Sequence, residues 1–426
     1  MPLSSTFRAL RHYNYRLWFI GQTISLIGVW MQNMAQQVLV YRLTGSATAL
    51  GMVNFIALVP LVPLSLLGGS ITDRFPRRNI VLITQILMML QAFLLAGLVW
   101  TGKVQIWHVF ALSLILGMVN AVDVPARQAF TVDLVEGKED LTNAIGLNSA
   151  MFNMARAAGP ALAGLLVAAA GEGMAFFLNG LTFLSVIFSL ALMKKLPAMR
   201  KSNSGQTDLG KHILEGLQFI RRRRAIFYLI SLIAVSAFLS MPYSTLMPVF
   251  AGEVLKASSD PVVNFICSTG PLPLKCQAPE ALPLGALLTT VGIGALAGAL
   301  VIASLPAGAH RGKMLTIGNL SFPLLLLVFG LSRSFLLSLA TLVLVGMSFV
   351  WQNALANTLL QFASPDELRG RVMSVYTMVF QSSMRLGGLQ AGLVADWVSA
   401  PFSVAIGAIF SLCYSIYVAL KVPEIR

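Results

Sequence analysis

Two arginines lie in the middle of long apolar segments, where a charged side chain is costly. Arg156 and Arg385 are 229 residues apart, and glycines follow each of them. An arginine at the centre of a bilayer costs about 3 kcal/mol or more, so each should face a cavity or a partner. One interpretation is a pair of cationic groups that contact an anionic or carbonyl-rich small molecule. In the other, each arginine bonds helix carbonyls or amide side chains and holds neighbouring helices together.

Amide side chains recur in the same kind of apolar segment. Those in the first segment mostly follow three- and four-residue steps, which place them on one stripe of a helix. They could line a wet central cavity, or they could bond one helix to another. With Arg156 and Arg385, the candidate solute-contacting residues are Gln22, Gln32, Asn33, Gln36, Asn153, Gln352, Asn353 and Gln381.

The carboxylates bear on proton coupling, because a proton carrier needs a titratable group that both sides of a membrane can reach. None of the 16 Asp and Glu residues falls at mid-membrane depth in the apolar segments. Asp123 is the best candidate for a carrier. It is predicted at the cytoplasmic end of its segment, four residues before Arg127, so the two could share a helix face.

The composition excludes an ordinary soluble protein. Of the 426 residues, 57% are hydrophobic and only 11% are charged, whereas a soluble domain carries roughly 25% charged residues. The apolar runs are long enough to cross a membrane as helices, and too continuously apolar for barrel strands. The first run, from about Leu17 to Val40, is too long for a cleaved signal peptide and is predicted to be the first span.

Twelve spans are predicted, with both termini in the cytoplasm. Of 30 Lys and Arg residues, 23 fall in the predicted cytoplasmic segments and five in the external loops, a bias that fixes orientation. The net charge of +14 is therefore attributed to topology rather than to nucleic-acid binding. The predicted spans are 17–41, 47–68, 80–100, 105–122, 142–169, 175–193, 226–250, 284–305, 314–331, 335–358, 372–394 and 402–420.

The two halves of the chain resemble each other. Gly117-Met118 recurs as Gly346-Met347 and Gly69 as Gly298, both at the offset that relates the two arginines. The predicted domains are an N-terminal six-helix bundle (1–193), a cytoplasmic linker (194–224) and a C-terminal six-helix bundle (225–426). The four arginines at 221–224 are interpreted as a membrane-surface anchor. Duplicated six-helix halves around a midplane site are typical of transporters.

The loop after the second span reads Gly69-Ser-Ile-Thr-Asp73-Arg74-Phe-Pro-Arg77-Arg78. This pattern resembles the signature loop of the major facilitator superfamily, and the second-half copy near Gly298 has no acid. The resemblance implies that Asp73 and Arg74 latch the two halves on the cytoplasmic side. The alternative is a plain basic loop that only sets topology. The predicted latch group is Gly69, Asp73, Arg74, Arg77 and Arg127.

A longer resemblance narrows the branch of that superfamily. Asn14-Tyr15-Arg16-Leu17-Trp18 and the block from Asp123 to Gly164 are similar to bacterial exporters of the enterobactin-exporter and macrolide-efflux type. This branch implies export from the cytoplasm across the bacterial inner membrane, generally driven by proton influx. Arg156 and the Gly159-Pro160 pair lie within the matching block.

The cysteines give two structural expectations. Cys267 and Cys276 fall in a long external loop and could form a disulfide in an oxidising compartment. Cys413, in the last span, is predicted to be a buried apolar residue.

Together these patterns predict an α-helical membrane transporter and not an enzyme. The sequence has no HExxH, GxSxG, Walker A or haem-ligand pattern, so we expect no cofactor and no metal. The expected partners are a small solute, a proton and the bilayer, with no nucleic acid, and the expected oligomeric state is a monomer. The predicted solute is siderophore-like or amphipathic and drug-like, since the candidate cavity holds two arginines and no acid. The alternatives are a membrane-embedded lipid-handling protein and an uptake permease of the same fold.

Overall fold

The protein is an all-α bundle in a computed structural model that describes residues 7–194, 209–269, 275–304 and 310–422. Helices contain nearly all of these residues, and no strand occurs in the ranges that the structure describes. At a few helical positions, among them Gly69 and Asp73, the side chains lie outside the described part.

Twelve membrane spans follow one another along the chain, as the sequence predicts. Spans 5 and 6 follow each other without a loop, within Lys138–Leu192. A kink at Gly171, where φ is 74°, separates the two helices. The other spans are Tyr13–Thr44 (span 1), Ala47–Arg74 (span 2), Arg77–Trp100 (span 3), Ile106–Asp133 (span 4), Arg224–Val254 (span 7), Ala281–Ala303 (span 8), Arg311–Leu331 (span 9), Phe335–Ala363 (span 10), Asp366–Trp397 (span 11) and Ala400–Lys421 (span 12).

Spans 1 and 11 are more polar than the rest. By length and composition, eight of the described helices are apolar enough to cross a membrane, and one of these is the double helix of spans 5 and 6. Spans 1, 2 and 11 complete the twelve. Spans 1 and 11 carry many of the candidate solute-contacting residues, including Gln22 and Arg385. Polar residues inside a membrane are tolerated where they face other helices or a cavity.

Several helices extend beyond the predicted spans. Span 4 was predicted to end at residue 122, but its helix continues to Asp133. Hydropathy locates the apolar part of a helix but not the residue at which its backbone hydrogen bonding ends. A prediction from hydropathy therefore misses a polar extension of the helix. As a consequence, Asp123 lies ten residues before the end of the helix, just beyond the predicted apolar span.

Span 7 has an irregular backbone that the sequence pattern did not predict. Its first part is α-helical to Val235, and it then passes through a π-helical turn at Ser236–Ser240 and a 3-10 turn at Met241–Ser244. A second π turn, Phe250–Val254, ends the span. Proline lacks the amide hydrogen that a continuing α-helix needs, and Pro242 lies at the start of the 3-10 turn.

Two compact units divide the chain by internal contacts. Unit 1 contains Met1–Leu43, Ile56–Asn203 and Cys267–Gly285, and unit 2 contains Thr44–Phe55, Ser204–Ile266 and Ala286–Arg426. Unit 1 has a buried cluster in which the rings of Trp18 and Phe130 meet edge to face at 5.1 Å. In unit 2 the corresponding cluster includes Ile226 and Ile233 of span 7 with Leu355 of span 10.

The repeated glycines perform the same task in the two units. In unit 1, Gly117 of span 4 lies against the carbonyl oxygen of Ala57 in span 2, so closely that a Cβ there would collide with it. In unit 2, Gly346 of span 10 lies in the same way against the carbonyl oxygen of Val291 in span 8. Small residues allow helix backbones to approach closely inside a membrane. The shared offset in the sequence thus reflects a shared helix contact.

We expect Gly117→Ala to destabilise the protein by about 1–3 kcal/mol, because the added methyl group meets a backbone carbonyl that cannot rotate away. The measurement is the unfolding temperature of purified protein in detergent. Gly97→Ala is the matched control, because a Cβ at Gly97 of span 3 would enter open space. An equal unfolding temperature for the two variants would contradict the assigned contact.

Candidate functional site

A buried ion pair joins Asp123 and Arg127 on one face of span 4, as their spacing predicts. Both oxygens of the Asp123 carboxylate accept hydrogen bonds. Oδ2 accepts from the Arg127 guanidinium, with Nε at 3.0 Å, and Oδ1 accepts from the Thr84 hydroxyl at 2.6 Å and the Gln85 amide at 3.4 Å. The Asp123 residue is only 1% exposed.

Arg127 also reaches the first span. Its Nη1 donates to Oε1 of Gln22 at 2.6 Å, and Gln22 is buried. One guanidinium therefore bonds spans 1 and 4, and the Asp123 carboxylate adds span 3. Gln22 was predicted to contact solute. Its Oε1 is used by this contact within unit 1, and its buried Nε2 forms no hydrogen bond within the described structure.

Thr84 and Gln85 were missed from the sequence, although both are polar residues in the apolar span 3. Asp133 was also missed. Its Oδ1 accepts from Nη1 of Arg77 at 2.6 Å, so the described contact of Arg77 lies within unit 1. Arg74 is exposed, and the surroundings of Gly69 and the side chain of Asp73 lie outside the described part of the chain. The proposed latch role of this loop stays a prediction.

The amides of span 1 divide into two groups. Gln32 is buried, donates to Gln91 at 3.1 Å and accepts from Asn179 at 2.7 Å, which joins spans 1, 3 and 6. Gln36 donates to the hydroxyl of Ser113 at 3.2 Å. Asn33, by contrast, is exposed. Gln32 and Gln36 thus bond one helix to another, which is the second of the two interpretations of these amides. Asn33 presents its amide at the surface.

Arg156 lies on span 5 beside a partly exposed aromatic ring. Its Nη2 donates to Oδ1 of Asn153 at 3.2 Å, and Asn153 donates in turn to the backbone oxygen of Ser149. The neighbouring Phe152 is 46% exposed and meets the ring of Trp30 edge to face at 5.6 Å. A guanidinium, an amide and an aromatic ring therefore lie within one turn of the same helix in unit 1.

Arg385, in unit 2, has an unpaired nitrogen. Its Nη1 is buried and forms no hydrogen bond within the described structure. Gln381 lies one turn earlier on span 11 and is half-buried. The rings of Tyr376 and Phe380 are stacked on the same helix, with centroids 6.4 Å apart. A buried cationic donor without an acceptor is costly, and an anionic ligand would supply the missing acceptor.

The two candidate residues of span 10 make helix bonds. Gln352 is buried, and its Oε1 accepts from the hydroxyl of Ser236 at 2.9 Å, in the first π turn of span 7. Asn353 donates to the backbone oxygen of Phe349, one turn earlier. The Gln352 bond therefore fastens the irregular part of span 7 to span 10.

The cysteine predictions had different outcomes. Cys267 and Cys276 form a disulfide, with Cα atoms 5.6 Å apart. Cys413 is exposed on span 12, so its predicted burial was wrong. A thiol is apolar enough to face lipid, and apolarity alone does not distinguish a lipid-facing position from an interior one. Among the described residues, no three His, Cys, Asp or Glu side chains are grouped as a metal site would require.

The twelve spans, the repeated helix contacts and the polar residues held inside the spans define a membrane transporter of the major facilitator superfamily. The chain belongs to the family described as transmembrane secretion effector, which matches residues 4–266 and 271–426. This agrees with the resemblance read from the signature loop and from the block between Asp123 and Gly164.

Three characterised relatives match nearly the whole chain. The staphyloferrin A transporter of Staphylococcus aureus is 24% identical over 402 residues, covering 93% of this chain and 94% of the relative. Macrolide efflux protein A of Streptococcus pyogenes is 21% identical over 418 residues, covering 97% and 96%. Enterobactin exporter EntS of Shigella boydii is 22% identical over 422 residues, covering 97% and 93%.

A solved structure supports the fold. The nucleoside transporter NupG superposes with a TM-score of 0.71 at 14% sequence identity, over 96% of this chain and 98% of that chain. At this identity the likeness concerns the fold alone.

We expect Arg127→Gln to lower the free energy of unfolding by about 3 kcal/mol, because it leaves the buried Asp123 carboxylate without its cationic partner. Unfolding of detergent-purified protein measures the loss. Arg369→Gln is the matched control, since it breaks an exposed pair with Asp366 three residues away, which is worth less than about 1 kcal/mol. A similar loss of unfolding free energy in both variants would show that the buried pair of span 4 stabilises the protein no more than the exposed pair does.

Proposed function

We propose that the protein exports a small siderophore-like or amphipathic, drug-like solute from the bacterial cytoplasm by alternating access, in exchange for protons. It does so as a multi-pass protein of the inner membrane, with both termini in the cytoplasm. The observation that carries the proposal is the buried, unpaired Nη1 of Arg385 in span 11. A nitrogen held in this way is positioned for an acceptor that comes and goes, as a transported solute does.

The surroundings of Arg156 support the same class of solute. The guanidinium, the Asn153 amide and the half-exposed Phe152 ring offer charge, hydrogen bonding and an apolar face together. A solute with carboxylate or carbonyl oxygens and a flat or apolar body uses all three. A neutral sugar would offer the guanidinium no anionic partner.

The relatives support export. Two are named for siderophores, as a staphyloferrin A transporter and an enterobactin exporter, and one for macrolide efflux. These names describe those proteins. Two of them state movement out of the cell, and this motivates the proposal for this chain. The bias of Lys and Arg toward the predicted cytoplasmic loops supports the orientation. The predicted external placement of the Cys267–Cys276 loop agrees with its disulfide.

Flux into inside-out membrane vesicles tests the proposal. Respiration acidifies the lumen of such vesicles, so a proton-driven exporter should accumulate its solute there. We expect accumulation of at least one labelled probe among a carboxylate siderophore, a catecholate siderophore and a macrolide. Arg156→Ala and Arg385→Gln should each lower the initial rate by about tenfold to a hundredfold, the equivalent of the 1.5–3 kcal/mol of a charged hydrogen bond.

The control is Arg333→Ala, which removes an exposed arginine at the predicted external end of span 9 and should leave the rate unchanged. Membrane insertion of each variant is checked by its yield in the membrane fraction. Unchanged flux in Arg156→Ala would reduce Arg156 to a structural residue. Probe movement only out of these vesicles would favour an uptake permease, and no movement of any probe, with or without a pH gradient, would exclude the proposal.

Asp123 is our candidate for proton coupling. It is buried within span 4, and its carboxylate is bonded to spans 1 and 3 through Arg127 and Thr84. A proton arriving on this carboxylate would remove the charge that holds Arg127, so protonation and helix contacts are linked. An antiporter needs such a linkage, because binding of the ion must shift the protein between the conformations that bind and release solute.

We therefore expect Asp123→Asn to transport solute down its own gradient while losing acceleration by a pH gradient, because the amide cannot take up the proton. Vesicle flux with and without an imposed pH gradient measures this. Asp366→Asn is the control, since it neutralises an exposed carboxylate and should keep full coupling. Retained proton-driven flux in Asp123→Asn would exclude Asp123 as the carrier.

A further inference from the structure

The start of span 2 and the end of span 11 are joined by one carboxylate. Asp396 lies in the last turn of span 11. Its Oδ1 accepts from the backbone amide of Ala47 at 2.8 Å, and its Oδ2 accepts from the amide of Thr48 at 2.9 Å and the hydroxyl of Ser46 at 2.6 Å. Three donors at the beginning of one helix therefore converge on a single side chain almost 350 residues away.

This contact uses the groups that a helix leaves unpaired. The first amides of a helix have no partner within it, and the helix dipole makes that end partially positive. A carboxylate there is favoured by both effects. Asp396 is exposed, so water and salt moderate the attraction, and a moderated attraction can be broken during function.

Span 2 also has a local cap. The hydroxyl of Ser46 accepts from the amide of Ala49 at 3.2 Å, three residues along, which is the ordinary bond of a serine N-cap. The first turn of span 2 is therefore stabilised even without Asp396. The bonds to Asp396 connect span 2 to span 11, and the helix does not need them in order to form.

Beneath the carboxylate, the two helices meet backbone to backbone. A Cβ at Gly392 of span 11 would collide with the carbonyl oxygen of Ala47, and a Cβ at Gly51 of span 2 would collide with that of Gly388. Such a glycine seam has no side chains locked into each other. It can separate and close again without repacking a core.

Span 2 is divided between the compact units. Residues 44–55 belong to unit 2, whereas the rest of span 2 and nearly all of span 1 belong to unit 1. The helix start that Asp396 holds is thus a piece of the first half of the sequence. At the other end of span 2 the sequence carries Asp73, the acid of the signature loop, so this span has an acid associated with each end.

We propose that Asp396 is a reversible latch, which holds the start of span 2 on span 11 in one state of the transport cycle and releases it in the opposite state. This role rests on alternating access, which is part of the proposed function, and makes Asp396 a positioning residue and not a solute contact. The latch acts at the end of span 2 that is predicted to face outside.

Accessibility of position 47 tests the latch without any solute. Ala47 is 2% exposed beneath Asp396, so Ala47→Cys in a Cys413→Ala background reports separation of the two helix ends. A membrane-impermeant maleimide is added to intact cells. We expect the added substitution Asp396→Ala to speed labelling about tenfold, equivalent to a shift of about 1.4 kcal/mol toward the open seam.

A second variant reaches the same result by a different route. Gly392→Ala places a methyl group against the carbonyl of residue 47, so it should also speed labelling while Asp396 is intact. Two controls should leave labelling unchanged. Gly370→Ala adds a methyl group to span 11 in open space, and Glu280→Ala removes another exposed acid of the predicted external surface.

Equal labelling in the parent and the Asp396→Ala protein would overturn the latch. Faster labelling in Glu280→Ala to the same extent would also overturn it, because a general loss of external charge would then be the cause. Labelling only from the cytoplasmic face would contradict the predicted orientation of this end. Since the assay needs no solute, a negative flux result leaves its outcome unaffected.

Discussion

The cost of an unpaired polar group in hydrocarbon governs the arrangement of this protein. Water cannot satisfy such a group inside a bilayer, so each one must find a partner within the protein or face a cavity. The carboxylate of Asp123 has partners on three spans through direct bonds and Arg127. Gln32 joins three spans, and Gln352 binds the irregular turn of span 7. Nη1 of Arg385 is one of several buried side-chain atoms that have no such partner within the described residues, and its position on a charged group makes the missing bond costly.

The helix contacts fall into two kinds with different mechanical consequences. The polar networks in spans 1, 3, 4 and 6 tie helices of unit 1 together by directional bonds at specific side chains. The glycine seam at Gly51 and Gly392 brings backbones together with little interdigitation. A transporter that alternates between states needs rigid groups of helices and surfaces that part cleanly, and the two kinds of contact meet these two needs.

Much of the architecture could be predicted from the sequence because hydrophobic length and charge bias are direct readouts of a membrane fold. The twelve spans, the repeat and the face shared by Asp123 and Arg127 are of this type. Partners from other helices could not be predicted. Thr84 and Gln85 are visible as polar residues in an apolar span, but one sequence does not show which carboxylate they meet. The prediction that Cys413 is buried failed for a related reason, since lipid and protein interior both favour apolar residues.

The π turns of span 7 affect how this helix tolerates change in its length. A π turn holds about one residue more than an α turn, so residues after Ser236–Ser240 are rotated relative to an uninterrupted α-helix. Removing one residue from this turn would restore regular winding and leave the following side chains on nearly the same faces. In a regular α-helix, a deletion instead rotates every residue that follows by about 100°. Span 7 is accordingly a place where the chain can lose one residue and keep the packing of the rest of the helix.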